Sequence, residues 1–236
     1  MGTSFVIVYC EKTMIRAFIF DLDGVITDTA EYHFQAWKRL ANEEGIPFTR
    51  QDNEALRGVP RRESLNRLLK GKPVSDEQAR RWMASKNEYY KSSIAHMTPD
   101  DMLPGVVKLL AEIHAAEMKI AIASASKNAS IVIERLRLAE KIDVLCDGYS
   151  VEHHKPAPDL FLQAAMDLGI LPNGCIIAED AEAGIAASRA AGMLSIGLGP
   201  AERVGDADMV FPNLEGVALR QILEYISTIT QQDNGK

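Results

Sequence analysis

The chain has 236 residues, enough for one or two globular domains with a sizeable core. With 47% hydrophobic and 25% charged residues it has the composition of an ordinary globular protein, which excludes a disordered, collagen-like or fibrous chain. The formal net charge of −7 repels polyanions at long range, so we expect no general nucleic-acid binding, although local cations in one cleft can still hold a small phosphorylated molecule.

Short apolar runs and helical patterns alternate along most of the chain. The run over residues 14–20 ends abruptly at Asp21 and predicts a buried strand. Because Met14 opens this strand, we expect residues 1–13 to be an N-terminal extension of the reading frame. Runs of the same kind predict strands at 119–123, 175–178, 193–197 and 209–211, and the patterns between them predict helices at 106–113, 131–138, 158–168 and 181–191.

The segment 29–97 interrupts this alternation because it carries only helical signals. Its apolar residues recur at spacings of three and four, as at Ala30, Phe34, Trp37 and Ala41. We therefore predict an α/β fold in which residues 14–28 and 98–236 form a doubly wound, Rossmann-like parallel-sheet core. Residues 29–97 are then an inserted all-helical domain, which we call the cap.

Polar residues follow the predicted strands or precede a predicted helix. Asp21 and Asp23 are two residues apart, a spacing that places both carboxylates on one side of an extended chain. In an open parallel sheet the carboxyl ends of the strands share one edge, where ligands bind. We therefore expect four clusters to converge at that edge: Asp21 with Asp23, Ser124, Lys155, and Glu179 with Asp180.

Carboxylates gathered at one edge repel each other unless a cation lies among them. Hard oxygen ligands without a His or Cys ligand set favour Mg²⁺, which we expect as the cofactor. Lys155 and the Ser124 hydroxyl then supply the positive charge and the donor that a phosphate needs. This set of residues permits a carboxylate nucleophile that forms an aspartyl-phosphate, with a second aspartate as general acid and base.

Four motifs, in this order, resemble the haloacid dehalogenase superfamily: FIFDLDGV from Phe18, SAS from Ser124, KPAPD from Lys155 and EDAEAG from Glu179. Three further stretches are similar to the β-phosphoglucomutase family within it: VITDTAEYHFQAW from Val25, LRGVPR from Leu56 and SASKN from Ser124. This resemblance implies an isomerase that interconverts β-D-glucose 1-phosphate and D-glucose 6-phosphate. It implies an aspartyl-phosphate enzyme and β-glucose 1,6-bisphosphate as intermediates.

The resemblance also implies the roles of the core residues. Asp21 is the nucleophile and Asp23 the general acid and base. Asp21, the backbone carbonyl of Asp23, and Asp180 hold the magnesium ion, with Glu179 beside them. The residues that it places at the transferring phosphate are Ser124, Ala125 through its backbone, Lys155 and, nearby, Asn128.

In the cap, the resemblance implies that Thr29 and His33 face the core site and that Arg61, assisted by Ser64, holds the distal phosphate of the substrate. Arg57 stands where the family carries lysine, so a planar guanidinium replaces a point ammonium at a sugar-positioning residue. Pro60 likewise stands in place of a more flexible polar residue.

Two other functions compete with this interpretation. A sugar-phosphate phosphatase of the same superfamily would use the same core residues but would transfer the phosphoryl group to water. A non-catalytic module that binds phosphorylated metabolites and regulates a partner would need neither nucleophile nor acid. Taken singly, each polar cluster also has a structural explanation, such as a turn after a strand or a helix N-terminus, and only their combination favours catalysis.

The remaining expectations concern the movement of the cap, the cellular location and the oligomeric state. A mutase must exclude water from the aspartyl-phosphate and still let the bisphosphate turn over, so we expect the cap to move about hinges at 27–29 and 97–104. The odd number of cysteines, three, predicts no disulfide framework, which favours a reducing cytoplasm. We expect a monomer with a small sugar phosphate as its ligand, and no membrane partner.

Overall fold

The computed structural model describes residues 14–56 and 59–233, with side chains through residue 229. The expected extension 1–13 and Arg57 lie outside the described residues. Six parallel strands form one sheet: β1 (Ala17–Phe20), β2 (Lys119–Ala123), β3 (Val144–Cys146), β4 (Cys175–Glu179), β5 (Leu194–Leu198) and β6 (Met209–Phe211). Their order in the sheet is β3-β2-β1-β4-β5-β6. The predicted fold class is confirmed.

Helices cover both faces of the sheet. They are α5 (Val106–Ala115), α6 (Ala129–Arg135), α7 (Asp159–Leu168), α8 (Glu182–Ala190), α9 (Ala201–Val204) and α10 (Leu219–Asp233). Alternate residues of β1 face opposite sides, so that Phe18 and Phe20 enter the apolar cluster around α5 and α10 while Ile19 enters the cluster around α7. A strand buried on both faces must be apolar throughout, which explains the unbroken run that predicted it.

Four of the helices between β1 and β2 form the body of the cap: α1 (Ala30–Glu43), α2 (Arg50–Glu54), α3 (Arg61–Leu69) and α4 (Asp76–Ile94). They enclose an apolar cluster of their own, in which Trp37 of α1 packs with Leu65 and Leu68 of α3. The two chain segments that join this body to the sheet are hydrogen-bonded to each other. Thr27 donates its hydroxyl to the carbonyl of Asp101 at 2.7 Å.

The sequence analysis missed one strand and two helices of the sheet domain. Strand β3 has only three residues and lies at the edge of the sheet, where Val144 and Leu145 are half-buried and produce no distinct apolar run. The short helix α9 and the C-terminal helix α10 were not predicted either. No helix among the described residues is long and apolar enough to span a bilayer.

Candidate active site

The centre of the site is an ion-pair cluster at the carboxyl edge of the sheet. Asp21 follows β1 and Glu179 ends β4, and these two strands are hydrogen-bonded neighbours. The ammonium of Lys155 lies 2.6 Å from Oδ1 of Asp21 and 2.8 Å from Oε2 of Glu179. The side chains of all three residues are at most 7% exposed. Three of the four predicted clusters therefore meet in direct contact.

The backbone after β1 holds the second oxygen of Asp21. The N–H of Asp23 donates to Oδ2 of Asp21 at 3.0 Å, so both carboxylate oxygens have a donor. The chain then turns at Gly24, which has a φ of +89°. A Cβ at this position would lie 2.3 Å from Oδ2 of Asp180, so a glycine is needed for Asp180 to approach the loop.

The carboxylates of Asp21, Glu179 and Asp180 can each offer an oxygen within 4.8 Å of the others. These are hard oxygen donors without histidine or cysteine, which fits a hard divalent cation. Glu179 has a further role, because its Oε1 accepts the backbone N–H groups of Asp180 and Ala181, each at 3.1 Å. The backbone carbonyl of Asp23 stays a predicted ligand.

The electrostatics of the site follow from burial and from these short contacts. Burial opposes the charge on Lys155, but the carboxylates of Asp21 and Glu179 outweigh it and raise the pKa of this lysine. Burial, together with the negative charge of Asp21, raises the pKa of Asp23 to about 6, although the Thr29 hydroxyl that donates to Oδ1 of Asp23 opposes this shift. Asp23 therefore combines the position and the proton affinity that suit a general acid and base.

The loop after β2 brings the predicted phosphate-binding residues to the same edge. Ser124 is fully buried and its Oγ accepts the N–H of Ser126 at 3.1 Å. Ala125 and Ser126 line the cavity described below. Asn128, which precedes α6, donates from its side-chain amide to Oδ1 of Asn87 on α4 at 2.9 Å, so that it joins the core to the cap.

The cap supplies the opposite wall. Arg61 begins α3, and its guanidinium donates to Oδ1 of Asn87 at 2.7 Å. Pro60 precedes it in extended conformation and accepts the Ser64 hydroxyl at 3.2 Å. His33 projects from α1 and packs against the ring of Tyr90 in a tilted arrangement, with ring centroids 4.1 Å apart.

A cavity of about 640 Å³ lies between core and cap. The predicted residues that line it are Asp21, Asp23, His33, Arg61, Ser64, Ala125 and Asp180. The other described candidates are buried and hydrogen-bond to a lining residue: Thr29 to Asp23, Ser124 to Ser126, Asn128 to Asn87, Lys155 to Asp21, and Glu179 to Asp180. The structure thus brings together every described residue that the sequence analysis selected.

Sequence reasoning missed Lys86, which is only 2% exposed and lines the cavity. Its ammonium lies 2.8 Å from Nδ1 of His33 and 4.8 Å from the centroid of the Tyr90 ring. A signal for it exists in the sequence. The stripe of α4 that faces inward repeats at 79, 83, 86, 90 and 94, and Lys86 is the charged member of an otherwise apolar series.

The sequence has two adjacent histidines, His153 and His154, in a predicted loop without a third ligand, a pattern that predicts surface residues. In the structure His154 lines the cavity. Its Nδ1 is buried without a hydrogen-bond partner among the described residues. Burial and the nearby charge of Lys127 lower the pKa of this histidine. The expectation was wrong because His154 precedes Lys155 directly, and the backbone that carries the lysine inward carries its neighbour to the cavity wall.

Comparison with known proteins agrees with this geometry. A family model described as haloacid dehalogenase-like hydrolase matches residues 18–198. The chain belongs to this family. It is 40% identical to a β-phosphoglucomutase of Bacillus subtilis (strain 168) over 214 residues, which cover 89% of this chain and 95% of that protein. The resemblance inferred from the motifs is confirmed.

Two further comparisons extend this result. The crystal structure of a β-phosphoglucomutase from Clostridium difficile superposes with a TM-score of 0.88 at 41% identity, covering 92% of this chain and 100% of that one. A fructose-1-phosphate phosphatase of Escherichia coli (strain K12) is 33% identical and covers 74% of this chain and 92% of its own length. Relatives of the chain thus include both a mutase and a phosphatase.

Proposed function

We propose that this protein is an isomerase that interconverts β-D-glucose 1-phosphate and D-glucose 6-phosphate. The observation that carries the proposal is the composition of one cavity. Its core wall holds Asp21, Asp23 and Asp180, and its cap wall holds His33 and Arg61. A phosphatase needs the first group, whereas a mutase must also hold the second phosphate of a bisphosphate intermediate. The identity of 40% to a β-phosphoglucomutase supports the same choice.

In the forward half-reaction an oxygen of Asp21 forms the bond to phosphorus while the bond from phosphorus to the donor oxygen breaks. Asp23 gives its proton to that departing oxygen, so that charge does not accumulate on it. Lys155 keeps the Asp21 carboxylate oriented through the contact at 2.6 Å. It also offsets negative charge that gathers around the transferring group.

In the second half-reaction a hydroxyl of the bound sugar phosphate takes the phosphoryl group from Asp21. Asp23 removes the proton of that hydroxyl as it attacks, which restores the starting protonation state. The Thr29 hydroxyl, which donates to Oδ1 of Asp23, orients this carboxylate in both half-reactions. The fully buried Ser124 and the loop residues Ala125 and Ser126 form the phosphate side of the cavity.

We further propose magnesium as the cation at the cluster of Asp21, Glu179 and Asp180, with the carbonyl of Asp23 as an additional ligand. When bound, the ion neutralises phosphate charge and polarises the phosphoryl oxygens. Removing divalent cations with a chelator should abolish turnover, and Mg²⁺ should restore it. Recovery with Ca²⁺ alone, at Mg²⁺-like rates, would argue against this assignment, because Ca²⁺ prefers longer bonds and more ligands.

The cap in this proposal must close for chemistry and open for exchange of ligands. The hydrogen bond between Thr27 and Asp101 ties the two connecting segments together, so they are suited to bend as one hinge. Arg61 is proposed to hold the distal phosphate, and Arg57 the sugar. The expected monomeric state and cytoplasmic location stay predictions.

The deciding experiment follows both products by ³¹P NMR, starting from β-D-glucose 1-phosphate with MgCl₂ and a trace of glucose 1,6-bisphosphate. A mutase yields glucose 6-phosphate with little free phosphate. Release of phosphate without glucose 6-phosphate would contradict the proposal and favour the phosphatase. An Asp21→Asn variant is the control, since it keeps the shape of the side chain but removes the nucleophile.

A further inference from the structure

Arg203 forms a polar bridge between the cap and the core, apart from the residues that the proposed chemistry uses. It lies on α9, and its Nε donates to the backbone carbonyl of Asp180 at 2.7 Å. Its Nη2 is 3.9 Å from Oδ2 of the same residue. Its Nη1 is 3.7 Å from Oε2 of Glu54, the last residue of the cap helix α2. One guanidinium thus contacts a proposed metal ligand and the cap.

The backbone around Arg203 leaves space for the guanidinium. Gly199 has a φ of +124°, and a Cβ at this position would lie 2.5 Å from Nη2 of Arg203. The side chain of Arg203 is only 29% exposed, whereas Glu54 is 54% exposed. Arg203 is therefore held in place on the core side, and Glu54 is the partner that can form and break the contact.

Such preorganisation changes the energetics of an ion pair across a moving interface. An exposed pair is usually weak because two long side chains lose conformational freedom when they meet. Here the hydrogen bond to the Asp180 carbonyl already restrains the guanidinium, so contact with Glu54 orders only one further side chain. The planar guanidinium also serves both partners at once, which a lysine cannot do with the same geometry.

We propose that Arg203 is a positioning residue that latches the closed cap, by pairing with Glu54, to the loop that carries Asp180. Closing the cap then stabilises the same loop that presents the metal ligand. The latch is expected to shift the ratio of closed to open protein by about two- to fivefold, the range of a surface ion pair in a favourable setting. The inference rests on the proposed function at one point, namely that the closed cap is the state in which the reaction takes place.

The first test measures cap position in the ligand-free protein, with spin labels at Lys72→Cys on the cap and Leu171→Cys on the core in a Cys10→Ser background. Both labelled positions are exposed, and Cys146 and Cys175 are buried. The distance distribution from double electron–electron resonance should move toward longer distances in Glu54→Gln and in Arg203→Gln. The double variant should show no larger change than either single one.

Three further variants complete this test. Gly199→Ala should reproduce the effect of Arg203→Gln, because its methyl group displaces the guanidinium. Arg203→Lys should show an intermediate shift. Arg220→Gln, which removes the same charge from an exposed pair within α10, should leave the distances unchanged. Unchanged distances in both single variants, or changes that simply add in the double variant, would overturn the proposal.

The second test is kinetic. With β-D-glucose 1-phosphate and MgCl₂, the Glu54→Gln, Arg203→Gln and double variants should all raise KM by about two- to fivefold and retain kcat, because substrate still drives closure at saturation. Equal fractional losses of kcat with KM unchanged would contradict a latch. If the distances respond as expected but no mutase activity is found in any variant, the latch stands and the proposed function fails.

Discussion

The ammonium of Lys155 lies 2.6 Å from Oδ1 of Asp21, although 134 positions separate the two residues in the chain. Both side chains are almost completely buried, and Glu179 shares the same ammonium. A buried charge is tolerable only when partners of opposite sign surround it. Lys155 therefore stabilises both Asp21, the proposed nucleophile, and Glu179, and the two carboxylates together offset the charge of the lysine.

Replacing Lys155 by alanine should destabilise the fold strongly. The change leaves Asp21 and Glu179 buried without their cation, and removing one partner of a buried pair costs about 3–5 kcal/mol of unfolding free energy. Urea denaturation measures this loss. Adding MgCl₂ should recover part of it, since a bound cation again offsets the carboxylates.

The matched control for that change is Lys119→Ala. Lys119 pairs with Asp143 at the same distance of 2.6 Å, but its side chain is 54% exposed. Loss of an exposed pair costs at most about 1 kcal/mol. Equal losses for the two lysine variants would show that the Lys155 cluster is not the buried ion-pair network that the structure indicates.

Replacing Asp23 by asparagine should remove acid–base catalysis and leave binding intact. Asparagine keeps the shape and the hydrogen bond from Thr29 but cannot exchange a proton, so kcat should fall by about 10²- to 10⁴-fold. Calorimetric affinities for Mg²⁺ and for glucose 6-phosphate should stay close to those of the wild type. The exposed Asp28→Asn serves as control, and wild-type turnover in Asp23→Asn would remove this residue from the mechanism.

The buried lysine of the cap should make stability depend on pH. Burial, with the charge of Arg61, holds the pKa of Lys86 well below its ordinary range, and Asp23 opposes this shift. The other groups that face it are His33 and Tyr90. The unfolded chain then binds a proton that the folded chain binds weakly, so the unfolding free energy should rise as the pH increases toward about 10.4.

The measurement compares the wild type with Lys86→Met by urea denaturation at pH 7, 8.5 and 10. The stability of the wild type should rise relative to that of the variant as the pH increases, since methionine has no proton to lose. Lys91→Met, at a more exposed lysine of the same helix, should follow the wild type. A difference between wild type and Lys86→Met that stays constant with pH would contradict the lowered pKa.

Replacing Gly24 by alanine should damage the metal cluster more than the fold. The new Cβ would collide with Oδ2 of Asp180 at 2.3 Å, so the affinity for Mg²⁺, measured by titration calorimetry, should drop by at least about tenfold. Gly71→Ala isolates the backbone strain, because Gly71 has a similar φ of +84° with nothing within 4 Å. Gly71→Ala should lose only about 1–2 kcal/mol of stability and keep its Mg²⁺ affinity.

Much of the core was predictable because its signals are local. The unbroken apolar run before Asp21 predicts a strand buried on both faces, and parallel topology then places the ends of β1, β2 and β4 at one edge. Convergence of Asp21, Ser124 and Asp180 follows from that topology alone. Where the local signal is weak, as in the three-residue edge strand Val144–Cys146, prediction failed.

Periodicity and motif order by themselves predicted the α/β core and the helical insertion, because each depends on the spacing of nearby residues. The motifs also led to the carboxylate chemistry that we propose for Asp21. The tertiary structure alone decided that His154 reaches the cavity, that Lys86 lies against His33, and that Arg203 contacts both Asp180 and Glu54. Contacts of this second kind depend on how elements that are distant in the chain pack against one another. That packing is set by the sum of many weak contacts between distant segments, to which no single stretch of sequence corresponds.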